Sequence, residues 1–320
     1  MPRKLIVVIP ALEEALRLRI RAEAESKGFE TLFFDREEDA LPTLGEAEIL
    51  FSHFSSLPAR GPALRWVCTP FAGVDDFLAP GVFLSPEPML SNSSGAYGTA
   101  IAEHIVMTAL ELLRRQMEYA EIVRRREWVR TLPVRSLRGS RITLLGTGDI
   151  GQEAALRLRA FLPRSLTGVS RSGKKPGNFF DRVLPVRDLD VVLPETDLLV
   201  ISLPDTAETR GLLDAERLDL LPDQAVLINV GRGSVLDDRA LESRLRAGRF
   251  SAALDVFPRE PLPPDSSLWT CPNLLITPHV AGNLNLPYTR ERIVELFLED
   301  LENYRCGRPL ARRVDLRRGY

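Results

Sequence analysis

The sequence has 320 residues, is 44% hydrophobic and 27% charged, and carries a formal net charge of −2 at pH 7. These values are typical of a globular protein with two domains, and the weak charge argues against nucleic acid or an anionic membrane as a partner. No apolar run approaches the length that is needed to span a membrane.

The amino-terminal apolar run at residues 5–9 is too short for a signal peptide and is followed by charged side chains, so it is predicted to be a first strand. The three cysteines, Cys68, Cys271 and Cys306, are an odd number and lack metal-ligand spacing. They are interpreted as reduced thiols, and we expect a cytoplasmic protein without a metal site.

The first hundred residues alternate between strand and helix patterns. An amphipathic helix is predicted at residues 12–24, and Gly28 is interpreted as the residue that stops it. Such alternation predicts a mostly parallel sheet covered on both faces. Because the first turn, at residues 10–12, has no glycine fingerprint, this domain is not expected to bind a nucleotide. Its strands are predicted at residues 5–9, 31–34, 48–51 and 64–68.

A loop follows the fourth of these strands, at the carboxyl edge where α/β proteins bind ligands. It contains Ala72, Gly73 and Val74, and the glycine would let neighbouring N–H groups turn toward an anion. An ordinary turn is the alternative. His53 follows the third strand and is a further residue that could line a pocket.

A small-polar segment at residues 91–95 leads into a long apolar helix predicted at 100–113, and we place the domain boundary after residue 98. His104 in this helix is interpreted as structural. Acidic and basic side chains are interleaved at residues 111–126, which favours a solvated helix face or a subunit contact over an RNA-binding patch. The apolar helix and this charged segment together predict a two-fold homodimer through the second domain.

The second domain begins with a glycine-rich turn between a strand and a helix. An apolar run at residues 142–145 stops at Gly146, and the sequence Gly146-Thr147-Gly148-Asp149-Ile150-Gly151 has the form G-x-G-x-x-G. Gly146 permits a tight turn, Gly148 lets a pyrophosphate approach the backbone, and Gly151 lets the helix pack close to the strand. The motif predicts a dinucleotide site, with an ordinary glycine turn as the alternative.

The next strand, predicted at residues 166–170, indicates which dinucleotide is used. In folds that select NAD, an acidic residue at this strand end bonds the ribose hydroxyls. Here the strand ends in Ser170-Arg171-Ser172-Gly173-Lys174-Lys175, with no acid. We therefore predict NADP as the preferred cofactor, and a solvated basic loop in an enzyme that takes either cofactor is the alternative.

Short apolar runs continue to the end of this domain and predict a doubly wound sheet of about six strands. Further helices are predicted at residues 212–221 and 240–247, and a final helix at 283–305 is expected to return to the first domain. The remaining strands are predicted at residues 197–203, 225–230, 252–256 and 274–277.

Three side chains that can carry chemistry follow these later strands. Arg232 lies between two glycines, where its guanidinium could bind a carboxylate with two donors. Glu260 follows the run at 252–256, and His279 follows the run at 274–277. Of the three histidines, only His279 is placed like a catalytic acid or base.

In this order and at these separations, the segments LRG, GTGDIG, LPDTAETRGL, INVGRGSVLD, ALDVFPREPL and TPHVAG resemble those of the D-isomer-specific 2-hydroxyacid dehydrogenases. The resemblance covers nearly the whole chain. It implies an α/β protein with two doubly wound domains, a Rossmann cofactor domain at residues 99–285 and a flavodoxin-like substrate domain formed from both termini, at residues 1–98 and 286–320.

The resemblance also implies roles for single residues. Arg232 matches the arginine that binds the substrate carboxylate and polarises the keto oxygen, His279 matches the proton donor, and Glu260 matches the carboxylate that bonds this histidine and favours its protonated form. Ala72, Gly73 and Val74 match the loop whose N–H groups hold the carboxylate. The implied cofactor-binding residues are Gly146, Gly148, Asp149, Ile150, Gly151, Ser170, Arg171, Ser172, Leu203, Pro204, Thr209, Val230, Gly231, Asp255, His279 and Gly282.

The implied activity is hydride transfer between NAD(P)H and a small 2-keto or 2-hydroxy acid, working as a reductase of a substrate such as glyoxylate or hydroxypyruvate. The family often has threonine shortly after the histidine motif, whereas this chain has Leu284 between Asn283 and Asn285, so the substrate side chain stays open. The alternatives are an NAD(H)-sensing binding protein or corepressor on the same fold, and oxidation of a small one-carbon or inorganic acid.

Overall fold

The computed structural model of the chain describes residues 3–84, 89–174 and 176–319. The chain divides into two compact units, a terminal unit at residues 1–96 and 284–320 and a central unit at residues 97–283. Both junctions lie two residues before the positions expected from the sequence.

The terminal unit is built on five parallel strands in the order β2-β1-β3-β4-β5. This is the strand order of flavodoxin-like folds, as the resemblance implied. The strands are β1 (Arg3–Val8), β2 (Phe29–Phe34), β3 (Ala47–Ser52), β4 (Trp66–Cys68) and β5 (Met89–Ser91), and the helices are α1 (Glu14–Ser26), α2 (Glu37–Ala40) and α9 (Pro287–Arg305).

Aromatic stacking joins the carboxyl-terminal helix α9 to this sheet. The ring of Phe297 stacks on Phe51 of β3 with centroids 4.3 Å apart, and on Trp66 of β4 at 5.3 Å. All three side chains are almost completely buried. Because large aromatic surfaces dominate the energetics of small cores, these contacts explain why residues distant in sequence fold as one unit.

The tail after α9 is bonded to the edge strand β5 of the same sheet. Arg313 forms an antiparallel bridge with Ser91, and Val314 donates its N–H to Leu90 O at 2.8 Å. Buried Asp300 accepts the N–H of Ala311 at 2.6 Å and so holds the start of the tail.

The central unit contains seven parallel strands in the order β12-β11-β10-β9-β6-β7-β8, which is the Rossmann order with one added strand. The strands are β6 (Arg141–Leu145), β7 (Ser165–Ser170), β8 (Arg182–Pro185), β9 (Leu198–Ile201), β10 (Val226–Asn229), β11 (Ser251–Leu254) and β12 (Leu274–Ile276). The helices are α3 (Gly98–Leu113), α4 (Gln116–Arg124), α5 (Asp149–Arg159), α6 (Leu189–Val192), α7 (Ala215–Leu220) and α8 (Asp238–Arg246).

Three expectations about the fold need correction. The sheet of the terminal unit has five strands where four were expected, because β5 has only three residues and a weak local pattern. The other two corrections concern the central sheet and the final helix. The central sheet has seven strands where about six were expected, because β8 lies at the sheet edge and its residues are only partly buried. The final helix begins at Pro287 and not at residue 283, since proline at a first helical position needs no N–H partner and fixes the helical φ. None of the helices in the described residues is long and apolar enough to cross a membrane.

Candidate active site

The predicted cofactor and catalytic residues of the central unit lie at or after the carboxyl ends of parallel strands. The glycine turn follows β6, Arg171 follows β7 and Arg232 follows β10, while Asp255 follows β11 and His279 follows β12. Since the strands are parallel neighbours, their carboxyl ends lie on one edge of the sheet, which is where open α/β sheets bind ligands.

The three glycines of the turn after β6 have three different environments. Gly146 has φ +112°, and a Cβ there would lie 2.6 Å from Ser202 Oγ, so the position requires glycine. A Cβ on Gly151 would lie 2.2 Å from Gly146 O, which is backbone and cannot move aside. Gly148 is the opposite case, because nothing lies within 4 Å of a Cβ built on it. The open side of the turn is thus at the residue predicted to face the pyrophosphate.

The loop after β7 presents polar and basic groups. Ser170 Oγ accepts the N–H of Gly173 at 3.1 Å, and Ser172 Oγ accepts the N–H of Lys174 at 3.4 Å. Arg171, Ser172 and Lys174 are exposed. Lys175, the last residue of the basic segment named in the sequence analysis, lies outside the described residues. Residues 171–174, which directly follow β7, contain no carboxylate that would repel a ribose phosphate.

Arg232 is held by a buried asparagine at the end of β10. Asn229, which is fully buried, accepts the N–H of Gly231 at 3.0 Å and donates to Arg232 O at 3.0 Å. A Cβ on Gly231 would lie 2.7 Å from the backbone of Leu203, and one on Gly233 would lie 2.1 Å from that of Phe257. The glycines on both sides of Arg232 therefore allow three loops to pass close together.

The loop after β9 provides a fixed carboxylate near this arginine. Hydrogen bonding to Arg210 holds the pKa of Asp205 below its usual value, and the charge of Arg232 adds to this effect. Ser234 also donates to Asp205, at 2.9 Å. In the same loop Thr209 Oγ1 donates to Pro204 O at 2.6 Å, which fixes the backbone where the cofactor residues Leu203 and Pro204 were predicted.

The backbone around His279 is organised by one buried aspartate. His279 has φ +54°, a conformation that side chains other than glycine rarely adopt. Its N–H donates to Asp255 O at 2.9 Å, and the Asp255 carboxylate accepts the N–H groups of Val280 at 2.9 Å and Ala281 at 3.0 Å. These bonds outweigh the strain at His279 and fix the direction of its side chain.

His279 and Glu260 form a direct pair. His279 Nδ1 lies 2.7 Å from Glu260 Oε2, while Glu260 Oε1 accepts the N–H of Phe257 at 2.9 Å. An ionised carboxylate only accepts hydrogen bonds, so Nδ1 carries a proton and Nε2 is the nitrogen that can gain and lose one. The His279 side chain is 52% exposed and can therefore meet a ligand.

Two residues that are linked by hydrogen bonds to Asp255, namely Thr277 and His104, were not predicted to be functional. Thr277 Oγ1 donates to Asp255 Oδ1 at 2.6 Å and lies 3.3 Å from His104 Nε2. Burial lowers the pKa of His104, although the charge of Asp255 opposes this. Since the threonine hydroxyl proton is used by Asp255, the bond to His104 requires that Nε2 of His104 is the donor. Nothing in the sequence signals this pairing, which joins residues 173 positions apart.

In the terminal unit, the predicted carboxylate loop follows β4. Ala72 O accepts the side-chain amide of Asn92 at 2.8 Å, and Val74 is buried. His53, at the end of β3, packs edge-on against Phe71 of this loop with centroids 4.6 Å apart. Burial lowers the pKa of His53, and its buried Nδ1 has no hydrogen-bond partner among the described residues.

No group of three or more His, Cys, Asp or Glu side chains that could hold a metal ion occurs among residues 3–84, 89–174 and 176–319. The described cysteines are free thiols, with Cys68 and Cys271 buried and Cys306 exposed.

The chain is similar to known proteins, both to a family model and to curated relatives. A family model described as "D-isomer specific 2-hydroxyacid dehydrogenase, NAD binding domain" matches residues 106–281. Among curated relatives, glyoxylate/hydroxypyruvate reductase B of Yersinia enterocolitica is 31% identical over 293 residues, which is 87% of each chain.

Solved structures agree with the family model. A D-isomer specific 2-hydroxyacid dehydrogenase family protein from Aeromonas salmonicida has a TM-score of 0.87 and 32% identity, covering 99% of this chain and 100% of its own. An NADPH-dependent glyoxylate/hydroxypyruvate reductase from Sinorhizobium meliloti, solved with NADP and sulfate, has a TM-score of 0.83 and 29% identity, with coverage of 99% and 100%.

Proposed function

This chain belongs to the D-isomer specific 2-hydroxyacid dehydrogenase family, and from that premise we propose that it is a reductase of short 2-keto acids such as glyoxylate and hydroxypyruvate, with NADPH as the preferred cofactor. The family resemblance read from the sequence is confirmed, as are the two-domain α/β fold and the NAD(P)-dependent oxidoreductase activity. The substrate, the direction and the residue roles are the proposal.

The cofactor fits the turn after β6. The open space at Gly148 leaves room for a pyrophosphate against the backbone, and α5 begins at the next residue, so its N–H groups face the phosphates. Val230, Gly231 and Asp255 would contact the nicotinamide half. A bound nicotinamide supplies the hydride for C2 of the keto acid.

Arg232 binds and orients the substrate. Its planar guanidinium can give two parallel N–H bonds to a carboxylate, and the same charge polarises the neighbouring keto oxygen. The buried Asn229 beneath it fixes its backbone, and its guanidinium donates to Gly231 O at 2.8 Å, which leaves other N–H groups of the fork for a carboxylate. Backbone N–H groups of Ala72, Gly73 and Val74 are proposed to hold the carboxylate as well.

His279 supplies the proton. Glu260 holds Nδ1–H and stabilises the doubly protonated ring, so Nε2–H can donate to the keto oxygen as the hydride reaches C2. The oxygen gains a proton, C2 gains a hydride, and His279 is left neutral, with Glu260 still accepting from Nδ1. In oxidation the same residues act in reverse.

The pairing of His279 with Glu260 at 2.7 Å is the observation that carries the proposal, because a protein that only senses the dinucleotide needs no acid/base pair. The test is a panel of 2-keto acids with NADH and NADPH, followed by absorbance at 340 nm in an assay of the whole chain. Turnover of glyoxylate or hydroxypyruvate supports the proposal. Cofactor binding without turnover of any keto acid would contradict it.

We also propose that the protein is a homodimer through the central unit. Apolar side chains near α3 and α4 are unusually exposed, above all Trp128 at 90% and Val123 at 69%. Such a patch favours a protein contact over water. Light scattering at micromolar concentration tests this, and a monomeric mass would contradict it. The other exposed apolar residues of this region are Met107, Met117, Val129 and Val134.

The remaining proposals concern the units and the compartment. The terminal unit is proposed to be the substrate domain and the central unit the dinucleotide-binding domain. Free thiols at Cys68, Cys271 and Cys306 support a reducing compartment, and we propose the cytoplasm.

A further inference from the structure

We propose that Asn92, assisted by Ser93, is a positioning residue for the substrate carboxylate: it turns the loop after β4 so that consecutive backbone N–H groups face the ligand. The inference rests on the proposed function, in which the N–H groups of residues 72–74 hold that carboxylate. The side chain of Asn92 thus sets the orientation of those N–H groups, a role that the family resemblance does not imply.

Two consecutive residues bind three carbonyl groups of this loop. Ser93 Oγ donates to Thr69 O at 2.9 Å, and Ser93 N–H donates to Phe71 O at 2.8 Å. Asn92 Nδ2 donates to Ala72 O at 2.8 Å. The carbonyl oxygens of the loop are thereby directed toward the segment that follows β5.

Peptide geometry then fixes where the N–H groups point. The peptides after Phe71 and Ala72 are trans, and in a planar trans peptide the N–H points opposite to the C=O of the same unit. Because both carbonyls face Asn92 and Ser93, the N–H groups of Ala72 and Gly73 face away from them. Within the described part of the chain, neither N–H donates to any protein acceptor. Adjacent N–H groups aimed the same way form a concave site for an anion.

The Asn92 side chain is itself fixed in this orientation. Asn92 is 9% exposed, and its Oδ1 accepts the N–H of Ser94 at 3.2 Å, which leaves Nδ2 as the group that faces Ala72. Its backbone N–H donates to Arg312 O at 3.3 Å. Arg312 in turn pairs with buried Asp300 at 3.2 Å, so the carboxyl-terminal tail supports the same position.

The chemistry requires a donor at this position. In Asn92→Asp the shape is kept, but a carboxylate oxygen would face Ala72 O, and the repulsion would turn the peptide and withdraw the N–H of Gly73. In Asn92→Ala the donor is absent without repulsion. Ile49→Val is the matched control, because it loosens the buried core of β3 in the same unit without touching the loop.

The experiment measures kcat and KM for glyoxylate, the Kd of NADPH, the Kd of oxamate in the NADPH complex, and Tm. We expect Asn92→Asp to raise the KM for glyoxylate and the Kd of oxamate at least tenfold, with kcat and the Kd of NADPH changed less than threefold. Asn92→Ala should show a smaller effect of the same kind. Ile49→Val should lower Tm and leave both constants unchanged.

Oxamate separates this inference from the proposed function. A parent protein that reduces no 2-keto acid would overturn the proposed function, while its oxamate binding still decides the role of Asn92. Asn92 variants that bind oxamate as tightly as the parent would overturn the inference, as would a parent that does not bind oxamate. A fall in kcat equal to the rise in KM would also overturn it, because a positioning role at the carboxylate changes binding first.

Discussion

Replacing Gly148 by alanine should weaken cofactor binding much more than it changes the stability of the free protein. Gly148 has φ −73°, which is accessible to alanine, and nothing lies within 4 Å of the added Cβ. Alanine restricts the unfolded chain, which stabilises the protein by roughly 0.4–1 kcal/mol, but Gly148 is the N-cap of α5, where alanine is less favourable than glycine by a similar amount. The two effects oppose each other, so the Tm should change by less than about 4 °C.

The same methyl group would occupy the space proposed for the pyrophosphate. Overpacking of this kind costs about 1–3 kcal/mol, equivalent to about 5- to 150-fold weaker NADPH binding. At an NADPH concentration 100 times the parent Kd, the parent gains about 2.7 kcal/mol of stability from the ligand, whereas a variant with 100-fold weaker binding gains only about 0.4 kcal/mol.

The assay is thermal unfolding with and without NADPH, supported by a fluorescence titration of the cofactor. Gly45→Ala is the matched control, because its Cβ would also be in open space and it belongs to the terminal unit. An unchanged Kd for NADPH in Gly148→Ala would refute the reasoning, since Gly148 could not then face the phosphates. A large loss of stability without cofactor would contradict the open space around it.

Three further predictions concern charged groups. His279→Ala should lower kcat by about 10²-fold or more in steady-state assays while the Kd of NADPH stays the same, because a general acid contributes about 10²- to 10⁴-fold to the rate. Normal turnover by this variant would exclude a role of His279 as the acid. Arg232→Lys should raise KM and lower kcat for every keto acid, since lysine lacks the two-donor fork, and parent-like kinetics would make Arg232 structural. Burial, with the nearby carboxylates of Asp237 and Glu242, raises the pKa of Asp238 to about 6. The parent therefore loses stability as pH rises from about 4 to 6. In urea unfolding at pH 8, Asp238→Asn should have a free energy of unfolding higher than the parent's by up to about 2 kcal/mol, and at pH 4 it should have no such advantage. Equal stability of the two proteins at pH 8 would contradict this.

The strands and helices with strong periodicity could be predicted from the sequence because each pattern is local. The apolar run at 142–145 and the helical spacing that follows it correspond to β6 and α5. The strands that were missed have weak local signals. β8 contains an arginine and a proline and needs only one neighbour at the sheet edge, while β5 has three residues. Their strand conformation depends on β7 and β4, which are distant in sequence.

The candidate site divides in the same way. Arg232, Glu260 and His279 could be selected because each follows a strand in a recognisable motif. Their supports could not be selected, because Thr277 is 22 positions from Asp255 and Asn92 is 20 from Ala72. The separate environments of the three glycines likewise depend on tertiary contacts, such as that of Gly146 with Ser202. Motifs therefore indicate which residues react, and tertiary packing determines how they are held.

The last prediction concerns the choice between NADPH and NADH, which we expect the loop after β7 to determine. Within residues 171–174, Arg171 and Ser172 are exposed and no acidic residue is present to bond the ribose hydroxyls. A guanidinium bonded to a phosphate contributes about 1.5–3 kcal/mol, which is about 10- to 150-fold in binding.

Arg171→Ala should therefore lower kcat/KM for NADPH by at least about tenfold and leave kcat/KM for NADH nearly unchanged, because only NADPH carries the 2′-phosphate. Arg164→Ala is the control, since Arg164 is also exposed but precedes the opposite end of the same strand. Both constants should match the parent in that variant. Raising the ionic strength should weaken NADPH binding by the parent more than by Arg171→Ala, because screening acts on the charge pair. A parent that favours NADH, or a preference for NADPH that survives the loss of Arg171, would show that this loop does not recognise the phosphate.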